Sequence, residues 1–364
     1  MKKRHQHFIP RTYLKHFKNS PDSEHVNTFN KIDHKFIDNI GLNDICVEKD
    51  FYTLKNLDGE DKLALEEFFD KEIESKYSKV FNLLVNQRPS KITLEQKIDI
   101  LKTTLSMYFR TPKILNQFLL KIDKLIEDLT NNNDINEIEF KGIIIKLSGK
   151  KKDEIKKEIR EHLRIDYLSI QLNIFEEFVK YKLYDGITVI ENTSEFDFYT
   201  GDNPVNFLNR FGNTDQIFDI NNSIYIPLNP KFCLLIAAPK LPKSGYEIFY
   251  QKDNQMLIHV VNSCTFDNSE RWIIGQGEDF KVALLKNIEL NSTYDLEHPM
   301  LKSLEIKTIL LANLLQAIEK GGLTNKNDNL LLALNNIKNW DEHKNHHDLV
   351  ELLETMRVED GLHI

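Results

Sequence analysis

"GITVIENTSEFDFYTGDNPV", residues Gly186 to Val205, decides the fold class, because the texture of the chain changes there. Before it, apolar residues recur at helical spacing. From it onward, β-favourable runs bounded by turn residues take over: "GITVIE", "FDFYTG", then "SIYIPL" and "FCLLIAA". "NQMLIHVVNSCTFDNSE" follows as a helix leading into the strand "RWIIG".

Working back from Gly186, Leu63, Phe68, Phe69, Ile73, Tyr77, Val80, Phe81 and Leu84 mark a period of 3.6. "TLEQ" predicts a capping box with Thr93 as N-cap and Gln96 reaching back. It opens a helix whose apolar face holds Ile98, Leu101, Leu105, Tyr108 and Phe109. Another helix follows Pro112, then a polar "TNNND" loop. The Lys/Glu-rich stretch 151–164 runs on into a long helix with its charges on a solvated face. Residues 21–55 read as a small hairpin ending near "DFYTL".

Helices and strands are segregated rather than alternating, which predicts an α+β fold. The expected organisation is a core over 1–289, with a helical segment at about 61–183 and a β-rich part at about 186–285 assembled with the N-terminal hairpin. Residues 290–364 read as a helical C-terminal extension. Its apolar stripe of Leu301, Leu304, Ile309, Leu311 and Leu314 suits packing or self-association.

The 364 residues carry a net charge of −8, so no global basic field gathers nucleic acid. The charge is uneven: residues 1–36 hold eight Lys/Arg against three Asp/Glu, and five histidines. A basic end on an acidic protein suits a phosphate-bearing ligand, although a solvated tail is the commoner explanation. No apolar stretch approaches the roughly 20 residues of a membrane helix, and no secretory signal is read, so the expectation is a cytoplasmic protein with no membrane partner. Cys46, Cys233 and Cys264 are odd in number and widely spaced, which argues against disulfides or a thiolate zinc site.

Several spacings are discounted. Asp295, Glu305 and Lys307 have the D…ExK order of metal nucleases but fall on a helical pattern. "HHD" at His346–Asp348 and the Arg11/His16 pair are short enough to arise by accident. Phosphate-loop, dinucleotide-fold and serine-hydrolase motifs are absent. Two stretches remain. In "QHFIPRTYLKHF", Gln6–Phe17, His7 stands before a proline-fixed turn, placed to act as a base or ligand or to cap the next helix. In "DFYTGDNPVNF", Asp202 and Asn203 occupy a sharp turn at a strand end, a common structural device as well as a reachable site.

Together these stretches resemble the bacterial and phage-associated domain-of-unknown-function family 4238. The likeness runs over Gln6, His7, Phe8, Ile9, Pro10, Tyr13, Leu14 and Phe17, then the aromatic pair Phe51 and Tyr52, then Arg110–Thr111–Pro112. It continues through Gly201–Val205, Pro227–Pro230, and Asn262 with Arg271 in "SERWII". Gly201 and Asn229 stand where the family usually has Ser. The resemblance covers residues 5 to about 275 and implies a shared fold and a set of polar landmarks without an established reaction. His7, Asp202, Asn203 and Arg110 are the expected catalytic residues, and Gln6, Asn262 and Arg271 the expected substrate-binding ones. A histidine, a carboxylate, an amide and guanidiniums in one cleft suit phosphate-ester chemistry. The expectation is a nuclease or nucleotide hydrolase of a bacterial defence or toxin-like system, using a divalent metal such as Mg, with nucleic acid or nucleotide as partner. The alternatives are a nucleotide-dependent transferase such as an ADP-ribosyltransferase, and a non-catalytic sensor or binding module.

Overall fold

The computed structural model describes residues 5–53, 63–130, 137–140, 143–146, 152–209, 212–213, 217–237, 246–253 and 255–293. The chain divides into two compact units, Met1–Phe207 with Asp215–Leu285, and Leu208–Thr214 with Lys286–Ile364. Within the second unit, Gly212 pairs with Asn209 and Asn213 with Leu208. The expected extension beyond Thr293, with its apolar stripe and the Asp295 and His346 spacings, lies outside the described residues. So do the loops after Thr130 and after Ala237.

In chain order the described elements begin with β1 (His5–His7), α1 (Arg11–Leu14) and a 3-10 turn, Lys15–Phe17. A hairpin of β2 (His25–Asn30) and β3 (Lys35–Gly41) follows, then β4 (Val47–Lys49). The helical segment begins with α2 (Ala64–Phe68), a π-helical turn Phe69–Glu74, α3 (Ser75–Phe81) and a second π stretch, Asn82–Gln87. Next come α4 (Leu94–Phe109), α5 (Pro112–Thr130), the hairpin β5 (Glu137–Phe140) and β6 (Ile143–Lys146), and α6 (Lys152–Tyr181). The strand-rich part holds β7 (Gly186–Asn192), β8 (Thr200–Gly201), β9 (Asn206–Asn209), β10 (Gly212–Asn213), β11 (Ser223–Asn229), β12 (Phe232–Ala237) and β13 (Ile248–Asp253). α7 (Gln255–Asn268), β14 (Trp272–Gly275) and α8 (Gly277–Thr293) complete it.

The α+β class is the one the sequence predicts. Thr93 caps α4 as expected: its hydroxyl accepts from Gln96 N at 3.2 Å, while the Gln96 side chain accepts from Thr93 N at 2.9 Å. Three elements go beyond the sequence reading. The β5–β6 hairpin interrupts the helical segment, β13 pairs parallel with β7, and α8 begins at Gly277, inside the part expected to be β-rich.

One sheet runs β9–β11–β12–β7–β13. A second is ordered β3–β2–β14–β8, so the N-terminal hairpin and the "RWIIG" strand share a sheet although some 240 residues separate them. Between the first sheet and the helices lies the main core, and the N-terminal segment is at its centre. Phe8, Ile9, Tyr13, Leu14 and Phe17 are buried with Tyr77 and Leu84, with Leu101 and Leu105 of α4, with Phe178 of α6, and with Ile187, Ile226 and Leu234 of the sheet. Full burial contributes about 1.5–3 kcal/mol per side chain, so these five supply roughly 7–15 kcal/mol, as much as a domain's net stability. That segment is therefore a core element rather than a tail.

Candidate functional site

β1 pairs antiparallel with β4, setting His5 opposite Lys49, Gln6 opposite Glu48 and His7 opposite Val47. Strand alternation buries Gln6 and leaves its neighbours more exposed. The Gln6 amide is fixed at both ends: Oε1 accepts from Tyr52 N at 2.6 Å and Nε2 donates to Glu66 Oε2 at 2.7 Å. Pro10 then turns the chain into α1, its carbonyl accepting from Tyr13 N and Leu14 N. The Tyr13 hydroxyl, deep in the core, lies 2.5 Å from Thr200 Oγ1 and donates to Pro227 O at 2.8 Å, joining three of the landmark stretches.

His7 Nε2 lies 2.9 Å from Leu42 O. A carbonyl only accepts, so Nε2 carries the proton and Nδ1 is left basic. Burial lowers the pKa of the ring, against the opposing pull of that hydrogen bond and of Glu74. The Leu42 carbonyl thus fixes which ring nitrogen carries the proton, and burial favours the neutral ring.

Arg110 ends α4, where Pro112 starts the next helix, and is 2% exposed. Its Nη2 donates to His7 O and to Glu74 Oε1, both at 2.7 Å, and Nε donates to Tyr52 Oη at 2.9 Å. Its guanidinium carbon sits 4.5 Å from the centre of the Phe69 ring. Nη1 has no hydrogen-bond partner among the described residues. The π-helical turn carries Asp70 and Glu74 opposite β1, and such turns recur at functional sites because their i→i+5 winding re-aims side chains.

These residues surround a cavity of about 650 Å³. Gln6, His7 and Arg110 line it, joined by Arg11 and Thr12 of α1 and by Lys15 of the 3-10 turn. Glu66, Glu67, Asp70 and Glu74 form an acidic wall facing them. The wall escaped the sequence reading because a charge run on a helix is ordinarily a solvated face. The recurrence at 66, 70 and 74 was its only local signal.

Asp202 and Asn203 do not line this cavity. The Asp202 carboxylate accepts from the backbone N–H groups of Glu270 at 2.9 Å, Arg271 at 2.8 Å and Trp272 at 3.0 Å. Burial raises its pKa, opposed by those three donors and by Lys31. Asn203 Nδ2 donates to Asn268 O at 3.4 Å, while its Oδ1 is buried without a partner among the described residues. Asn262 bridges backbone, accepting from Tyr199 N at 3.2 Å and donating to Asp197 O at 2.9 Å. Arg271 is exposed, its guanidinium carbon 4.6 Å from the centre of the Trp272 ring. Apart from the exposed Arg271, the sequence-predicted residues therefore fall into two groups. Gln6, His7 and Arg110 meet at the cavity, whereas Asp202, Asn203 and Asn262 bind the β8 turn to α7 and β14.

Gly201 belongs to the second group. A Cβ there would lie 2.0 Å from Ser269 Oγ and 2.8 Å from Trp272 O, so the space a serine would take is filled by Ser269.

Among the described residues no group of three or more His, Cys, Asp or Glu side chains is arranged to hold a metal, and no helix is long and apolar enough to cross a membrane. Fold and cavity define an α+β protein with a pocket of about 650 Å³ lined by residues of its first strand and of the helical segment. The family model described as a protein of unknown function (DUF4238) matches residues 5–279, and the chain belongs to that family. Neither the curated proteins nor the solved structures include a match.

Proposed function

We propose that the protein hydrolyses a phosphate ester, with a nucleotide as substrate and the cavity beside β1 as its active site. The observation that carries this reading is the hydrogen bond tying His7 Nε2 to Leu42 O, in a cavity whose lining His7 shares with Arg11 and Arg110. A histidine whose Nε2–H is tied to a carbonyl presents a basic Nδ1, the arrangement a general base needs near neutral pH. Water gives its proton to Nδ1 as its oxygen attacks phosphorus, and the ester P–O bond breaks with the electron pair leaving on the ester oxygen. The guanidiniums stabilise the charge that develops on the phosphoryl oxygens.

A volume of about 650 Å³ suits a mononucleotide, since small-molecule sites span roughly 300–1,000 Å³. Cleavage of nucleic acid, the other half of the phosphate-ester expectation, and ADP-ribosyl transfer, the alternative enzyme reading, are followed in the same test. Mg bound to the substrate phosphates would need only one or two carboxylates, which Glu66 and Asp70 offer. It would supply charge neutralisation at the phosphate.

The test is phosphate release from a panel of nucleotides with Mg, with cleavage of single-stranded DNA and RNA and nicotinamide release from NAD followed alongside. The expected result is nucleotide turnover that His7→Gln abolishes, with stability changed by no more than the ~0.5–1.5 kcal/mol of one hydrogen bond. Equal turnover in His7→Gln overturns the assignment. A second reading rests on the burial and pairing of Gln6 and Arg110: a non-catalytic module whose polar network pins the N-terminal segment. Severe unfolding of His7→Gln, with no turnover by the wild type, favours it.

A further inference from the structure

Phe69 and Glu74, the first and last residues of the π-helical turn, both reach Arg110. The Phe69 ring centre lies 4.5 Å from the guanidinium carbon, and Glu74 Oε1 lies 2.7 Å from Nη2. On an α-helix, residues five apart point about 140° away from each other, at ~100° per residue. The i→i+5 winding of a π turn narrows that angle, so ring and carboxylate meet one guanidinium.

The same Nη2 donates to the carbonyl of His7, also at 2.7 Å. Among the described residues, Arg110 thus gives its side-chain protons to Glu74, to the His7 carbonyl and to the Tyr52 hydroxyl. Only Glu74 adds an opposite charge, so it dominates in deciding where Nη2 sits. The main chain around His7 is held from that nitrogen on one side. On the other it is held by the β1–β4 pairing, with Phe8 N donating to Cys46 O at 3.0 Å. The ring itself is tied at Nε2 to Leu42 O.

Charge acts beside geometry. Glu74 raises the pKa of His7, whereas Arg11 and Arg110 lower it. The rest of the cavity lining adds Glu66 and Glu67 of α2, Asp70 of the π turn, and His5 and Lys15.

We propose that Glu74 is a positioning residue for His7: it holds Arg110 Nη2 on the His7 carbonyl and so sets where the imidazole stands in the cavity. The kinetic consequence rests on the hydrolase reading above, with His7 as base; the placement of the ring does not.

The experiment follows the His7 imidazole by NMR of the full chain in wild type, Glu74→Gln and Glu74→Asp, its signals identified by their absence from His7→Gln. Ring nitrogen shifts report which nitrogen carries the proton, and their titration reports the pKa. Glu74→Gln keeps an oxygen for Arg110 and removes the charge. Glu74→Asp keeps the charge and shortens the reach by a methylene. Expected are a single Nε2–H form in wild type, a mixture of tautomers in both variants, and a lower pKa in Glu74→Gln. Nucleotide turnover should lose roughly ten- to a hundredfold in kcat with KM little changed, since misplacement by ~1 Å can cost about a hundredfold. Either variant suffices if the other does not fold. A folded variant that keeps the wild-type tautomer overturns the inference and leaves Glu74 a stabilising partner of Arg110 alone. Wild-type turnover with kcat unchanged in the variants also overturns it, and leaves the hydrolase standing. A tautomer mixture in the variants, with no turnover by any form including the wild type, keeps the positioning role and removes the hydrolase.

Discussion

The buried pair of Arg110 and Glu74 can be tested in one set of variants. Arg110→Met removes a guanidinium that is 1% exposed in its side chain, and leaves Glu74, 19% exposed, without its partner. Breaking a buried pair from one side typically costs about 3–5 kcal/mol, most of it the stranded charge. Glu74 retains some contact with water, so the lower half of that range applies, near 3–4 kcal/mol. Removing both partners in Arg110→Met/Glu74→Leu eliminates the stranded charge and replaces it with apolar groups beside Phe69. What remains is the His7 carbonyl without its donor and the Tyr52 hydroxyl without Arg110 Nε, together about 1–2 kcal/mol. The double variant should therefore be more stable than Arg110→Met, measured by urea denaturation of wild type, both single variants and the double. A double variant as unstable as the sum of the singles would refute the buried pair.

Asp202→Ala should destabilise by about 2–4 kcal/mol, because three backbone donors lose a shared carboxylate, less the relief of no longer burying its charge. Turnover per folded molecule should persist; unchanged stability with turnover abolished would make Asp202 catalytic instead. His16, stacked on Phe81 with ring centres 3.5 Å apart, has its pKa pushed down to about 4 by burial and by Lys15. The unfolded chain takes up this proton from about pH 6.5 and the folded chain only near 4. Its contribution is thus whole above pH 6.5 and is lost as pH falls toward 4, by up to about 3 kcal/mol at ~1.36 kcal/mol per pH unit. The difference in stability between wild type and His16→Phe, followed by urea denaturation from pH 7 to 4, should shift in favour of the variant by that amount; a flat difference refutes it.

Where local chemistry decides, the sequence sufficed. The Thr93–Gln96 box needs only residues three apart, and the periodicity of Leu63 to Leu84 and the run from Lys152 to Tyr181 are properties of single segments. Class and most elements followed. Partners did not, because they are set by pairing across the chain. β13 against β7, β1 against β4, and the Gln6 amide on Glu66, 60 residues away, are decided only when the sheets and the helical layer close. Asp202 shows the consequence most plainly. Its turn residues signalled an exposed strand end, yet folding delivers three N–H groups from 68 to 70 residues downstream and buries it. Conversely, Glu66 and Asp70 belong to a helix face that pattern alone assigns to solvent, and docking of β1 makes it a cavity wall. The periodicity of a segment says which face is polar. Whether that face meets water, a backbone or a ligand depends on what the rest of the chain packs against it.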